Sequence, residues 1–173
     1  MHSDGTFSDQ ASVAEVLFEK HMQAELNSDL EGAMKTMLDD PHILNIGSGR
    51  GGLGKDEVRM FDARDLIEQF FPEVATFTMI SRTVDNEKIL DELVIRCTHR
   101  TTIDYLLPGV KPTGRPLEIA LVVIAGVKDD KISYEYIYWD QAALLAQLRM
   151  LDPSGLPIVT DSARQLLLYT NNI

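Results

Sequence analysis

The pattern of apolar and polar positions changes period partway along this chain. In the N-terminal part the period is helical. Val13, Val16, Leu17, His21, Ala24 and Glu25 fall on one stripe, apolar at most positions, and predict a helix beginning at Ser8 or Gln10. Leu30, Ala33, Met34 and Met37 predict a second helix from about Asp29 to Leu38, with Asp29 as its N-cap. Pro41 closes that run, because proline cannot continue a helix. "HILNI" then reads as a short strand, "GSGRGGLG" as a turn, and Lys55 to about Phe71 as a third helix ended by Pro72. After that the period falls to two. "TFTMISRTV", "KILDELVIRCTHRTTIDYL", "PLEIALVVIAGV" and "KISYEYIYWD" predict strands, and "KDDK" is a compact hairpin turn. A helix follows from about Gln141 to Met150, then the loop "LDPSGLPIV" and a closing short helix, "TDSARQLLLY".

Helices first and antiparallel strands afterwards predict an α+β domain. A strand from about Lys88 to Asp104 would exceed the usual ~5–6 residues. Strands of that length bend, so one strongly curved sheet wrapped around the N-terminal helices is expected. The expected organisation is disorder over residues 1–9, a folded domain over 10–152 and a C-terminal extension over 153–173.

Composition narrows the partners. The 173 residues suffice for one domain with its own core. A net charge of −11 argues against nucleic acid and against anionic membranes. No apolar run reaches the ~18–20 residues of a membrane span, and the first ten residues lack the basic and apolar regions of a secretory signal. The single cysteine, Cys97, excludes an internal disulfide and suits a reducing compartment, so a cytoplasmic location is expected.

Several motifs suggest chemistry that their surroundings do not support. Gly47, Gly49 and Gly52 fit G-x-G-x-x-G, and Gly49, Gly54 and Lys55 fit a P-loop. Yet Asp56 and Glu57 follow where a magnesium-holding hydroxyl is needed, and two carboxylates there would repel a phosphate. The bland alternative is a tight loop closing one end of the fold. Cys97 could be a nucleophile served by His99, two residues on, but Leu93 and Ile95 on the same strand face predict a buried, inert thiol. His21, His42 and His99 lie on separate elements with no metal-ligand spacing, so no metal site is expected.

Strand parity says more. On the long strand Ile89, Asp91, Leu93, Ile95, Cys97 and His99 share a face that should point inward, with Asp91 and His99 as its polar exceptions. On the last strand Tyr134, Tyr136, Tyr138 and Asp140 share one face, and Glu135, Ile137 and Trp139 the other. If the tyrosine face is the inner one, it gives hydroxyls and a carboxylate to an apolar pocket. Asp140 also precedes a helix and is well placed to cap it. His21, on its mostly apolar stripe, can equally be a satisfied core residue.

The segment "DYLLPGVKPTGRPLEIALVVIAGVKDDKISYEYIYWDQAALLAQLRMLDP", with "HMQAELNSDLEGAMKTMLDDPHILNI" and "GGLGKDEVRMF" before it, resembles the SnoaL-like polyketide cyclase family of the nuclear transport factor 2-like fold. The similarity runs over about residues 12–153. It implies a cone-shaped α+β barrel with a pocket in its mouth, and enzymes that use no metal or cofactor. In the polyketide cyclases an aspartate on the closing strand is the acid/base of an intramolecular aldol closure, and Asp140 matches it. Where relatives tend to read "EHIYWD", Tyr136 replaces an imidazole, and a phenol does not shuttle protons near neutral pH as histidine does. A homodimer through the outer sheet face is also implied.

These expectations converge on a cofactor-free cyclase, isomerase or lyase acting on an apolar oxygenated small molecule such as a polyketide or terpenoid intermediate. Asp140, His99 and Tyr136 are the expected catalytic residues, and Tyr138, His21, Asp91 and Trp139 the expected substrate contacts. A non-catalytic ligand-binding or dimerisation module of the same fold is one alternative, and a lactone or ester hydrolase using Cys97 is the other.

Overall fold

The computed structural model describes residues 12–69 and 75–170. The expected disorder over 1–9 and the expected end of the third helix at Phe71 lie outside those residues. Helix α1 spans Val13–Leu26, and Ser12 caps it by accepting the Glu15 N–H at 3.1 Å. Helix α2 spans Leu30–Thr36, capped by Asp29 as expected. Strand β1 (Met37–Asn45) starts earlier than the pattern suggested and runs through Pro41. Strand β2 (Arg50–Leu53) pairs with β1, and helix α3 (Lys55–Phe61) continues into a π-helical turn, Asp62–Ile67. Strands β3 (Thr76–Val84), β4 (Lys88–Thr98), β5 (Pro116–Lys128) and β6 (Lys131–Trp139) follow, then α4 (Gln141–Gln147) and α5 (Ser162–Thr170).

The strands form one curved sheet in the order β2-β1-β6-β5-β4-β3. The expectation of an antiparallel barrel needs two corrections. The sheet is open, since β2 and β3 are its edges and do not meet. One internal pair, β1 with β6, is parallel. The long strand is also shorter than expected. β4 ends at Thr98, where the His99 N–H donates to the Arg115 carbonyl and its own carbonyl accepts from Gly114. The chain then turns back, and Ile103, Leu106 and Leu107 plug the core instead of extending the ladder.

Helices α1 and α2, α3 and the π-helical turn lie over one sheet face. The helical stripe of α1 sits slightly round from the one read in the sequence. Ala14, Phe18, His21 and Glu25 are buried, whereas Val13 and Val16 are exposed. The i, i+4, i+7 spacing is still helical; the true stripe simply runs through Phe18. On the sheet, Ile89, Ile95, Cys97, Ile119 and Leu121 meet these helices in the core.

The glycine-rich stretch is a structural hairpin. Gly47 lies under the Trp139 ring, where an added Cβ would come within 2.6 Å of it, and a Cβ on Gly52 would lie 2.5 Å from the α3 backbone at Val58. Backbone approach, not phosphate binding, accounts for both positions. Among the described residues no helix is long and apolar enough to cross a membrane.

Candidate active site

A cavity of about 110 Å³ lies between the inner sheet face and the helices. Ile43, Phe61, Leu93, Ile95, Leu121 and Ile137 give it apolar walls. Glu25, Asn45, Tyr105 and Glu135 are the polar exceptions. Behind the two glutamates sits His21, fully buried, with its Nε2 atom 3.1 Å from Glu25 Oε1 and 3.2 Å from Glu135 Oε1.

Each member is delivered by a different piece of the chain. His21 and Glu25 are one helical turn apart on the buried stripe of α1. Glu135 reaches inward from β6 because the ladder sets its parity: Leu93 pairs with Leu121, Leu121 with Trp139, and Ala125 with Glu135. The π-helical turn buries both Asp62 and Asp65. Single π-turns of this kind often mark functional positions. Asp65 is neutralised by Arg50 and Arg64. Among the described residues Asp62 has no hydrogen-bond partner for either oxygen.

The orientation of His21 follows from one hydroxyl. Thr36 Oγ1 lies 2.6 Å from the Ala33 carbonyl, to which it donates its only proton. It must therefore accept from His21 Nδ1–H, also at 2.6 Å. Nε2 is left facing the carboxylates. Burial alone would lower the His21 pKa, but Glu25 and Glu135 outweigh it and raise it to about 10. Burial pushes Glu135 up to about 7, against the pull of His21. Burial and the charge of Glu25 push Asp62 up to about 8. Carboxyl groups held near neutrality in an apolar cleft are suited to taking and returning protons.

The expected site residues fall elsewhere, apart from His21. The tyrosine face of β6 is the outer one, which corrects the conditional reading that it lines the pocket. Glu135 is 4% exposed, whereas Tyr138 is 40% exposed. Tyr136 donates to or accepts from His42 Nε2 at 2.9 Å, and His42 stacks on Tyr134 with ring centres 5.5 Å apart. Asp140 is exposed and caps α4, accepting the Ala143 N–H at 3.0 Å. With Tyr138 and Trp139 it borders a separate groove of about 330 Å³, between the outer sheet face, α4 and α5. Trp139 Nε1 donates to Gln141 at 2.6 Å. Asp91 is clamped by Arg82 at 2.7 and 2.8 Å, away from the cavity. His99 is buried, with Nδ1 3.2 Å from Thr113 Oγ1 and a pKa lowered by burial. Cys97 does not line the cavity, and burial raises its thiol to about 11.

Residues 19–148 match the SnoaL-like polyketide cyclase family. The chain belongs to that family. Solved structures agree at the level of the fold. A protein from Jannaschia sp. CCS1 described as a SnoaL-like polyketide cyclase is 14% identical, with a TM-score of 0.63 over 84% of this chain and 100% of that one. A Catenulispora acidiphila protein with a ketosteroid isomerase-like fold, in complex with trimethylamine, is 13% identical, with a TM-score of 0.57 over 82% and 97%. A Mycobacterium tuberculosis protein in complex with estradiol-17beta-hemisuccinate is 20% identical, with a TM-score of 0.54 over 75% and 95%. A search of curated proteins finds no match.

Family membership and fold were thus legible in the sequence, but Glu25, Glu135 and Asp62 were missed as site residues. Two signals were available for the glutamates. Glu25 shares the helical stripe with His21, and Glu135 shares its face with Ile137 and Trp139. Nothing in the local sequence marks Asp62, whose burial depends on the π-turn.

Proposed function

We propose that this chain is a cofactor-independent acid/base enzyme of the cyclase, isomerase or lyase kind, acting on a small apolar molecule that carries a carbonyl group. One observation carries the reading: two buried glutamates stand in the wall of a mostly apolar cavity, beside a buried imidazole. The proposal moves the acid/base from Asp140, on the outer surface, to Glu135.

In the proposed step the Glu135 carboxylate takes a proton from the carbon next to the carbonyl. The C–H electron pair forms a carbon–carbon double bond, and the carbonyl π pair moves onto the oxygen to give an enolate. Asn45 and Tyr105 line the same cavity and are the side chains able to donate a hydrogen bond to that oxygen. Collapse of the enolate forms a new C–H or C–C bond, and Glu135 returns its proton to the product. His21 acts as a positioning residue, holding Glu135 and favouring its ionised form. A void of about 150 Å³ accepts one benzene ring, so the 110 Å³ here encloses only part of a ring-sized substrate unless its walls move apart. Two fold relatives in complex with small organic molecules support a small-molecule role.

The test is solvent deuterium incorporation next to the carbonyl of small cyclic enones, followed by NMR. Wild type is expected to catalyse exchange, and Glu135→Gln to lose it by roughly 10²–10⁴-fold. Asp140→Asn is expected to retain it. Loss in Asp140→Asn with retention in Glu135→Gln would return the acid/base to the outer groove. Binding without exchange in the wild type would favour the non-catalytic module. The hydrolase alternative gains no support from a thiol raised to about 11.

A further inference from the structure

We propose that His21 Nε2, Glu25 Oε1 and Glu135 Oε1 form a binding site for a divalent transition-metal ion. The three atoms all lie within 4.8 Å of one another, and Nε2 is 3.1 and 3.2 Å from the two oxygens. Nitrogen and oxygen ligands bind zinc at about 2.0–2.2 Å. At tetrahedral or octahedral angles that places ligand atoms roughly 3.0–3.6 Å apart, the spacing His21 Nε2 already has from each oxygen, and side-chain adjustment of the two glutamates would bring their own oxygens, within 4.8 Å of each other, around an ion.

A second observation sets this group apart from an ordinary acidic cluster. His21 Nε2, Glu25 Oε1 and Glu135 Oε1 are all buried, and among the described residues they have no hydrogen-bond partner outside their own close contacts. The imidazole is also held in the way that metal-bound imidazoles are held. Its other nitrogen donates to Thr36 Oγ1, and that hydroxyl is itself fixed by the Ala33 carbonyl. Nε2 is thereby aimed at the two carboxylates, and it gives up its proton when an ion binds. Asp62 adds a third buried acid whose two oxygens lack hydrogen-bond partners among the described residues and whose charge acts on the same group.

The donor set narrows the ion. One imidazole with carboxylates suits zinc, manganese, iron(II) or cobalt rather than calcium or magnesium, and no thiolate is present to select copper(I). Glu25 and Glu135 border the cavity, which supplies both an entry path and a position for water on the ion. An ion bound here takes the lone pairs through which Glu135 would exchange protons. Metal loading then blocks turnover, a consequence that, unlike binding itself, rests on the acid/base reading above.

The experiment is calorimetric titration of the full chain, stripped with a chelator, with Zn²⁺ alone, alongside thermal melts with and without Zn²⁺. Wild type is expected to bind one equivalent and to melt at a higher temperature when loaded. Glu135→Gln is expected to bind at least about tenfold more weakly, and Thr36→Val, which frees the imidazole, about 10–100-fold more weakly. Asp140→Asn and His42→Ala should bind as wild type does. Absence of stoichiometric binding to the wild type overturns the site. So does unchanged affinity in a folded Glu135→Gln protein, or in Thr36→Val if the glutamine variant does not fold. Because no substrate is involved, this outcome is independent of the exchange assay.

Discussion

Replacing Asp62 by Asn is expected to stabilise the protein, and to do so more at higher pH. Asp62 is fully buried and, among the described residues, neither of its oxygens is hydrogen-bonded. Burial and Glu25 raise its pKa from 3.8 to about 8, with His21 pulling the other way. A carboxyl group with a raised native pKa binds its proton more tightly when folded. Its contribution is therefore most favourable below 3.8 and is lost as pH rises towards about 8. At about pH 7 the solution is roughly three units above the unfolded value, and at ~1.36 kcal/mol per unit the ceiling on the penalty is ~4 kcal/mol. Glu25, Glu135 and His21 share the titration, so a gain of roughly 1–2 kcal/mol is the expected size. The assay is urea unfolding of wild type and variant at about pH 5 and about pH 8, in chelator, with the slope checked for constancy. His21, with its pKa raised to about 10, likewise contributes stability that is lost as pH rises from 6.5, and it does so in both proteins. The gap between them reports Asp62 together with its pull on His21. A variant no more stable than wild type at about pH 8, or a gap that narrows with pH, would refute the argument.

Two further outcomes follow from burial and capping. The Cys97 thiol is expected to react with a maleimide only slowly at neutral pH, with the rate climbing as pH approaches its raised value of about 11; fast labelling of the native protein near pH 7 would contradict its burial. Asp140→Ala is expected to cost about 1 kcal/mol by removing the α4 cap, whereas Asp140→Asn stays within a few tenths, because asparagine caps equally well. Equal melting temperatures for the alanine and asparagine variants would show that the cap contributes nothing.

The sequence disclosed periods better than it disclosed phase. The alternation from Lys131 to Trp139 identifies a strand, but it carries two candidate inner faces. Three tyrosines make the wrong one look apolar, because phenol rings stacked on His42 can cover an exposed surface as well as fill a core. The ladder from Leu93 to Leu121 to Trp139 fixes the choice, and that pairing spans 46 residues of sequence from Leu93 to Trp139. On α1 the same loss of phase is one residue wide: Val13 and Val16 are apolar yet exposed, and Phe18 does the packing. The turn at His99 was hidden because Thr101, Thr102 and Ile103 have strand-like side chains, whereas the bonds of His99 with Arg115 and Gly114 are the last backbone pairing the strand makes with β5's end of the chain. Asp62 illustrates the other limit. A carboxylate is normally read as surface, and its burial here comes from a helical turn whose spacing no local pattern announces.

The parallel contact between β1 and β6 has a bearing on how the chain acquires its structure. It joins Met37–Asn45 to Lys131–Trp139 in the middle of the sheet, across a large separation in sequence. Closing so long a loop is a slow event compared with forming the β5–β6 hairpin or the α1–α2 pair. During synthesis, β1 and β2 must wait for the last strand before their sheet has a centre. Glu135 travels on that strand, so the acid cluster around His21 is completed only with this seam. Until then His21 and Glu25 share α1 with no third partner, and premature termination before β6 would leave a chain with helices but no site.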